Sequence, residues 1–84
     1  MEIKEKTLSE LCSGETGTVS DITADIEMRR RFMDIGCIVG SDIKKLGTGP
    51  FGDPCAYLIC GAVIAIRKKD AAHIRVTASK MRKQ

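Results

Sequence analysis

Four cysteines and one histidine are the residues of this chain with the clearest potential for metal chemistry. They are Cys12, Cys37, Cys55, Cys60 and His73. Thiolates and imidazoles are the ligands that Zn²⁺ and related transition metals favour, and cysteine zinc sites usually place two cysteines about two to four residues apart. The closest pair here is Cys55 and Cys60, separated by four residues. In an extended strand the two side chains would point to opposite faces, because their offset of five positions is odd.

Cys55 and Cys60 are therefore interpreted as small core residues, and no metal ligand is assigned. A weak transition-metal contact through an exposed thiol or His73 stays the alternative. No Ser-His-Asp or Cys-His constellation can be assembled from the sequence, and it contains neither a P-loop nor a dinucleotide-binding glycine motif. The chain is not expected to be an enzyme or to carry a cofactor.

The cysteine content also bears on the cellular compartment. Four cysteines in 84 residues are fewer than a disulfide scaffold uses. The first residues carry charges throughout and lack the apolar stretch of a secretory signal. Reduced thiols and a cytoplasmic location are therefore expected. The longest nearly apolar run, residues 55–66, is too short to cross a bilayer, so the protein is expected to be soluble.

Charge is distributed unevenly along the chain. Residues 67–84 hold seven basic groups and one acidic group, whereas residues 1–66 hold seven basic and ten acidic groups. A solvated terminus is one interpretation of the basic end. Attraction to an anionic partner or to the cytoplasmic face of a membrane is the other.

A second basic group is the Arg29-Arg30-Arg31 run, which could bind phosphate. Arg30 and Arg31 are expected to be solvated. Binding of single-stranded nucleic acid usually needs aromatic side chains on which bases stack. The chain has only two Phe, one Tyr and no Trp, so no nucleic-acid partner is predicted.

The best candidate for a docking surface is the stretch of residues 48–54. It contains two glycines and two prolines, which is typical of a loop with well-defined bends. Phe51 is its only large apolar side chain, and apolar anchors on rigid loops are common at interfaces. We predict that Phe51, Gly52 and Asp53 contact a protein partner, although Asp53 could instead hydrogen-bond within its own turn. The exposed helix face around Arg30 is the next candidate.

The elements that position these residues are short, and the length of the chain allows one small domain. The Met28, Phe32 and Ile35 side chains share one helix face and are predicted to pack on the core. Periodicity and turn signals predict a helical turn at 7–11, a strand with a bulge at 15–22, a helix at 24–35, strands at 42–47, 55–60 and 62–67, a helical turn at 70–73 and a short strand at 74–77.

Five short strands, one helix and tight turns indicate a mainly β protein, a small barrel. The pair of strands in residues 55–67 is almost continuously apolar. This pattern predicts burial on both faces or closure of the sheet on itself.

The order of several short motifs resembles the FeoA family. These motifs are Leu8-x-x-Leu11-x-x-Gly14-x-x-Gly17-x-Val19, the run from Arg30 to Gly36, Gly40, Gly52-Asp53-Pro54, Ala65-Ile66-Arg67, and Ala71-x-x-Ile74-x-Val76. The resemblance covers about residues 7–76. No single motif is specific, but their combination is.

The resemblance implies an SH3-like five-stranded barrel with one inserted α-helix over residues 1–76, followed by a basic tail at 77–84. It also implies a small cytosolic accessory protein of bacterial ferrous iron uptake. The implied partner is FeoB, a membrane transporter with a cytosolic G domain, whose nucleotide cycle or assembly the protein would modulate. Contact with the membrane would then be indirect. The alternative function is a cytosolic transition-metal-binding or metal-sensing SH3-like domain.

Overall fold

The computed structural model describes residues 2–80, which form six β-strands, two α-helices and one 3₁₀ helix. In chain order the elements are β1 (Glu2–Thr7), the 3₁₀ helix (Leu8–Glu10), β2 (Thr16–Ile22), α1 (Ile26–Asp34), β3 (Asp42–Thr48), β4 (Cys55–Ile59), β5 (Ala62–Ile66), α2 (Lys68–Ala71) and β6 (Ile74–Lys80). The strands form one antiparallel sheet in the order β1-β6-β2-β3-β4-β5. None of the helices described is long and apolar enough to cross a membrane. Residues 81–84 of the predicted basic tail lie outside the described residues.

The predicted mainly β architecture with one longer helix is confirmed, but the sheet has six strands rather than five. The additional strand is β1, which pairs with β6 from Glu2 opposite Lys80 to Thr7 opposite Arg75. Its sequence alternates charged and uncharged residues only weakly, so no strand was expected there. Within residues 2–80 no strand pair joins β5 to β1. The sheet is barrel-like but open, and the predicted closure is wrong.

Helix α1 has the buried face that its sequence predicts, and a side chain caps its start. The Asp25 carboxylate accepts a hydrogen bond from the Met28 backbone N–H at 2.9 Å, which satisfies one of the free donors at the helix start. Phe32 is buried, with 6% of its surface exposed. Met28 and Ile35 are half-buried against the same core. The helix thus covers the sheet with one stripe and leaves its other faces open.

The core contains side chains from β2, β3, β4 and β6. Tyr57 is fully buried, and its hydroxyl donates to the Leu8 carbonyl at 3.3 Å. Burial raises the pKa of this phenol. The predicted irregularity of β2 is confirmed, since its register with β6 shifts between Val19 and Asp21. This bulge lets Val19 and Ile22 both face the core.

The β4–β5 hairpin differs from its prediction. In β4, alternate residues are buried, including Tyr57 and Ile59. In β5 only Ile66 is buried, and Val63 is 67% exposed. The continuous hydrophobicity of β5 therefore does not correspond to burial on both of its faces. The strand lies at the edge of the sheet, and one of its faces is open to solvent.

Glu15 offers a test of how pH affects stability. Its carboxylate accepts hydrogen bonds from the Cys12 backbone N–H at 2.8 Å and from Lys6 Nζ at 3.2 Å. The bond from Cys12, followed by the contact with Lys6, lowers the pKa of Glu15. A lowered folded-state pKa contributes stability above the unfolded pKa of about 4.3, and this stability is lost as pH falls through the folded value.

We expect Glu15→Gln to lower the free energy of unfolding by about 1 kcal/mol near neutral pH. The variant should also lose less stability than the wild type when the pH is lowered through the acid range. Urea denaturation at neutral and acid pH measures both effects. Asp21→Asn is the control, because Asp21 is an exposed carboxylate. If Glu15→Gln and the wild type lose the same free energy of unfolding as the pH falls, the lowered pKa of Glu15 does not contribute to stability.

Candidate functional site

The cysteines and the histidine do not form a reactive cluster in the structure. Within residues 2–80 there is no group of three or more His, Cys, Asp or Glu that could hold a metal ion. Cys37 is buried, and burial, together with the neighbouring Cys60, raises its pKa to about 11. A thiol in this state is a poor nucleophile and a poor metal ligand at neutral pH. His73 Nδ1 lies 3.1 Å from the Thr23 carbonyl oxygen, a contact between the residue before β6 and the residue after β2.

The interpretation of Cys55 and Cys60 as core residues is half right. Cys55 is buried at the start of β4, where it is 1% exposed. Cys60 is exposed, because it occupies the two-residue turn between β4 and β5. Its φ of 49° and the φ of 79° at Gly61 are typical of the primed turns that connect hairpins. The sequence signal at this turn was Gly61 alone, and the turn begins one residue earlier.

The loop at residues 48–54 connects β3 to β4 and is held by its own backbone. The Gly49 N–H donates to the Pro54 carbonyl at 3.0 Å, and the Gly52 N–H donates to the Gly49 carbonyl at 2.9 Å. These bonds close the loop at its base and form a tight turn at its tip. Phe51 lies in this turn with 94% of its surface exposed.

Asp53 fixes the same loop to the next helix. Its Oδ1 accepts a hydrogen bond from the Lys68 backbone N–H at 2.8 Å, at the start of α2. The sequence suggested a bond within its own turn or a partner contact, and the structure shows a bond to a residue 15 positions away. Asp53 thereby places the loop beside the basic residues Arg67, Lys68 and Lys69.

Arg30 belongs to a different surface, the outer face of α1. This face is formed by Ile26, Arg29, Arg30 and Met33, which line a shallow groove of about 280 Å³. Ile26 is 74% exposed and Met33 is 60% exposed. A smaller cavity of about 120 Å³ continues from Arg29 and Met33 toward two further exposed apolar residues, Ile38 and Val39.

The apolar part of this outer face was missed in the sequence. Ile26 and Met33 lie seven positions apart, which places them on one side of a helix. This spacing is a second apolar stripe beside the predicted Met28–Phe32–Ile35 stripe. It could have indicated an exposed contact surface, because one helix on a small sheet can bury only one of the two stripes.

The arginines of α1 and the basic residues at 67–69 form no ion pair in the part of the chain that the structure describes. The ion pairs found there join Lys6 to Glu15 and Arg75 to Glu5. Neither pair includes the arginines of α1 or the basic residues at 67–69. The candidate surfaces thus combine exposed apolar side chains with unpaired positive charge, which suits an apolar partner surface with acidic residues.

Comparison with known protein families gives a match over most of the chain. The model of the FeoA domain matches residues 6–78. A Fe(2+) transport protein A/Fe(2+) transporter FeoB fusion protein from Porphyromonas gingivalis is 30% identical over 69 residues. The matched region covers 82% of this chain but 8% of the fusion protein.

Solved structures share the fold. The solution structure of the FeoA protein from Chlorobium tepidum has a TM-score of 0.80 and 35% identity, covering 86% of this chain and 69% of that one. A FeoA-like protein from Clostridium acetobutylicum has a TM-score of 0.82 and 28% identity, covering 100% of this chain and 95% of that one. The FeoA of Stenotrophomonas maltophilia complexed with zinc, a procaryotic SH3 domain protein, has a TM-score of 0.73 and 26% identity, covering 83% and 87%. The predicted SH3-like fold is confirmed.

Proposed function

The chain belongs to the FeoA domain family, which is associated with ferrous iron transport, and on this basis we propose that it binds a FeoB-type membrane transporter and modulates the cycle or assembly of that transporter's cytosolic G domain. It acts as a non-enzymatic accessory protein in the cytoplasm and meets the membrane only through its partner. Nucleic acid is not among its partners.

The observation that supports this proposal most strongly is the fusion protein of Porphyromonas gingivalis. There, a region similar to this chain is part of one polypeptide with a FeoB transporter. A covalent link raises the effective concentration of one domain at the other, so even a weak contact is populated. Such a contact needs a docking surface on the FeoA-like domain.

The 48–54 loop has the properties of such a docking surface. Phe51 is almost fully exposed, and the loop around it is already ordered by the backbone bonds at Gly49 and Gly52. A pre-ordered loop loses little conformational entropy on binding. In this proposal Phe51 is the anchor, Gly52 shapes the turn and Asp53 holds the loop against α2. The adjacent residues 67–69 supply positive charge, and Arg30 belongs to a second contact on the outer face of α1.

We expect Phe51→Ala to weaken binding to the full-length transporter at least about tenfold. Truncating an interface anchor typically costs about 2 kcal/mol or more of binding free energy, and about 1.4 kcal/mol corresponds to a factor of ten in affinity. The melting temperature should not change, because Phe51 contributes little to the core. Binding can be measured by biolayer interferometry with the transporter in lipid nanodiscs. Leu46→Ala is a matched control, because Leu46 is an exposed apolar residue of β3 outside the loop.

Equal affinities for Phe51→Ala and Leu46→Ala would contradict the role of the loop. The outer face of α1, tested by Arg30→Ala and Met33→Ala, would then become the first candidate. The alternative function, transition-metal binding or sensing, is distinguished by titrating the protein with Fe²⁺ and Zn²⁺ in the absence of the transporter.

A further inference from the structure

Strand β5 forms one edge of the sheet, and its outer side offers free peptide groups. The two-residue turn makes Ile59 and Ala62 the pair nearest the turn. In such hairpins this pair exchanges both backbone hydrogen bonds, and bonded and non-bonded pairs then alternate along the strands. The peptide groups of Val63 and Ala65 therefore point away from β4. Among the described residues, no other backbone or side-chain group bonds to them.

This edge lacks the features that usually protect an exposed strand. Edge strands commonly carry lysines, prolines or bulges that prevent pairing with another chain. The sequence of β5 is Ala-Val-Ile-Ala-Ile, and its register with β4 is regular over its whole length. The opposite edge strand, β1, has a lysine or glutamate at four of its six positions. The two edges of the sheet thus differ in the feature that decides whether a further strand can be added.

A groove of about 290 Å³ lies directly beside this edge, between β5 and α1. We call it the α1–β5 groove. Its apolar lining comes from Phe32 and Ile35 on the helix side and from Ile64 and Ile66 on the strand side. The volume is sufficient for an apolar side chain. A helix beside a free strand is the arrangement with which some domains bind extended peptides by strand addition.

Charged residues at the same groove restrict what it can bind. Arg31 and Arg67 both line it, together with Asp70. Neither arginine belongs to an ion pair among the described residues. Two guanidinium groups and one carboxylate leave the groove positive. Arginine presents a planar array of donors that matches a carboxylate, so an acidic group is the complementary ligand.

We propose that the α1–β5 groove binds an extended segment of a partner protein by strand addition to β5. The segment forms backbone hydrogen bonds with Val63 and Ala65, inserts one apolar side chain between α1 and β5, and places a carboxylate beside Arg31 and Arg67. This deepens the proposed function and rests on it as far as the partner is the FeoB-type transporter. The groove holds an extended acidic segment, whereas the 48–54 loop contributes an apolar anchor.

The test uses two variants of the full chain and measures their binding to the intact transporter in nanodiscs. Ala65→Pro removes one outward N–H, and proline is tolerated at such a position of an edge strand. Ala65→Ser keeps the N–H and is its control. Arg31→Glu reverses a charge on an exposed side chain, and Arg31→Lys is its control. Circular dichroism and NMR spectra establish that each variant is folded.

We expect Ala65→Pro and Arg31→Glu each to weaken binding about tenfold or more, and Ala65→Ser to bind within about twofold of the wild type. Arg31→Lys should lose less affinity than Arg31→Glu, because it keeps the positive charge but not the planar donor array. Hydrogen exchange at the Val63 and Ala65 amides should slow in the complex. If the wild type binds the transporter and both variants bind equally well, the groove proposal is overturned while the proposed function stands.

If the wild type does not bind the transporter, the proposed function fails and the groove is decided separately. A phage-displayed library of random peptides is then selected on the wild type and screened against Ala65→Pro. The proposal is supported if the enriched peptides carry an acidic residue near an apolar one and do not bind Ala65→Pro. Absence of such peptides overturns it. A dimer of this chain that Ala65→Pro dissociates also overturns it, because a second copy would then occupy the edge.

Discussion

Replacing Phe32 with alanine should lower the free energy of unfolding by about 3–5 kcal/mol. Phe32 is the one residue of α1 that is buried, and Met28 and Ile35 are only half-buried beside it. Its ring is therefore the part of the helix that is most completely removed from solvent. Whole domains are stable by only about 5–15 kcal/mol, so the loss would be a large fraction of the total.

The measurement is chemical denaturation followed by circular dichroism, with Met33→Ala as the matched control. Met33 follows Phe32 in the same helix but is 60% exposed. Its replacement should change the free energy of unfolding by no more than about 0.5 kcal/mol. A loss below about 1 kcal/mol for Phe32→Ala would show that the helix is held by other contacts. Phe32 also lines the α1–β5 groove, so this variant should bind partners poorly even when folded.

The helix was predictable because a single pattern determines it. The spacing of Met28, Phe32 and Ile35 identified the buried face, which the structure confirms. Helical periodicity is a local property, since side chains three and four positions apart share a face regardless of the rest of the fold.

The strands at the two edges of the sheet were less predictable, because pairing is not local. β1 carries charged residues at most positions, and only its pairing with β6, more than 60 residues later, makes it a strand. For β5 the error was the opposite. Its apolar sequence predicted burial on both faces or closure of the sheet, but the strand lies at an open edge and is mostly exposed. Hydrophobicity reports how much apolar surface a strand has, and the topology decides how much of it is covered.

The candidate site was predictable only in part. The glycines and prolines of the 48–54 loop indicated a defined bend, and the structure confirms that Phe51 is exposed. The hydrogen bond from Lys68 to Asp53 depends on how α2 packs, which no local pattern encodes. Arg31, not Arg30, lines a groove with Arg67, because one position along a helix rotates a side chain by about 100°.

A second large effect is expected where α1 ends. Gly36 has a φ of +86°, a conformation that costs other residues about 1–2 kcal/mol. A Cβ atom on Gly36 would also lie 2.6 Å from Cys60 Sγ and 3.3 Å from Cys60 Cβ. Relieving such overpacking typically costs a further 1–3 kcal/mol or so. Gly36→Ala should therefore lower the free energy of unfolding by about 2–5 kcal/mol.

Two further variants separate these contributions. Gly40 also has a positive φ, +97°, but an added Cβ would meet no atom within 4 Å. Gly40→Ala should therefore cost only the backbone share, about 1–2 kcal/mol. The double variant Gly36→Ala, Cys60→Ala should have a free energy of unfolding about 1 kcal/mol or more higher than Gly36→Ala alone, because the Sγ atom that crowds the new Cβ is removed. If the two substitutions are simply additive in denaturation experiments, the end of α1 does not pack on the β4–β5 turn as the structure shows. Non-additive effects of the two substitutions would instead establish that this contact fixes the helix beside the β4–β5 turn. Strand β5, and with it the α1–β5 groove, begins at that turn.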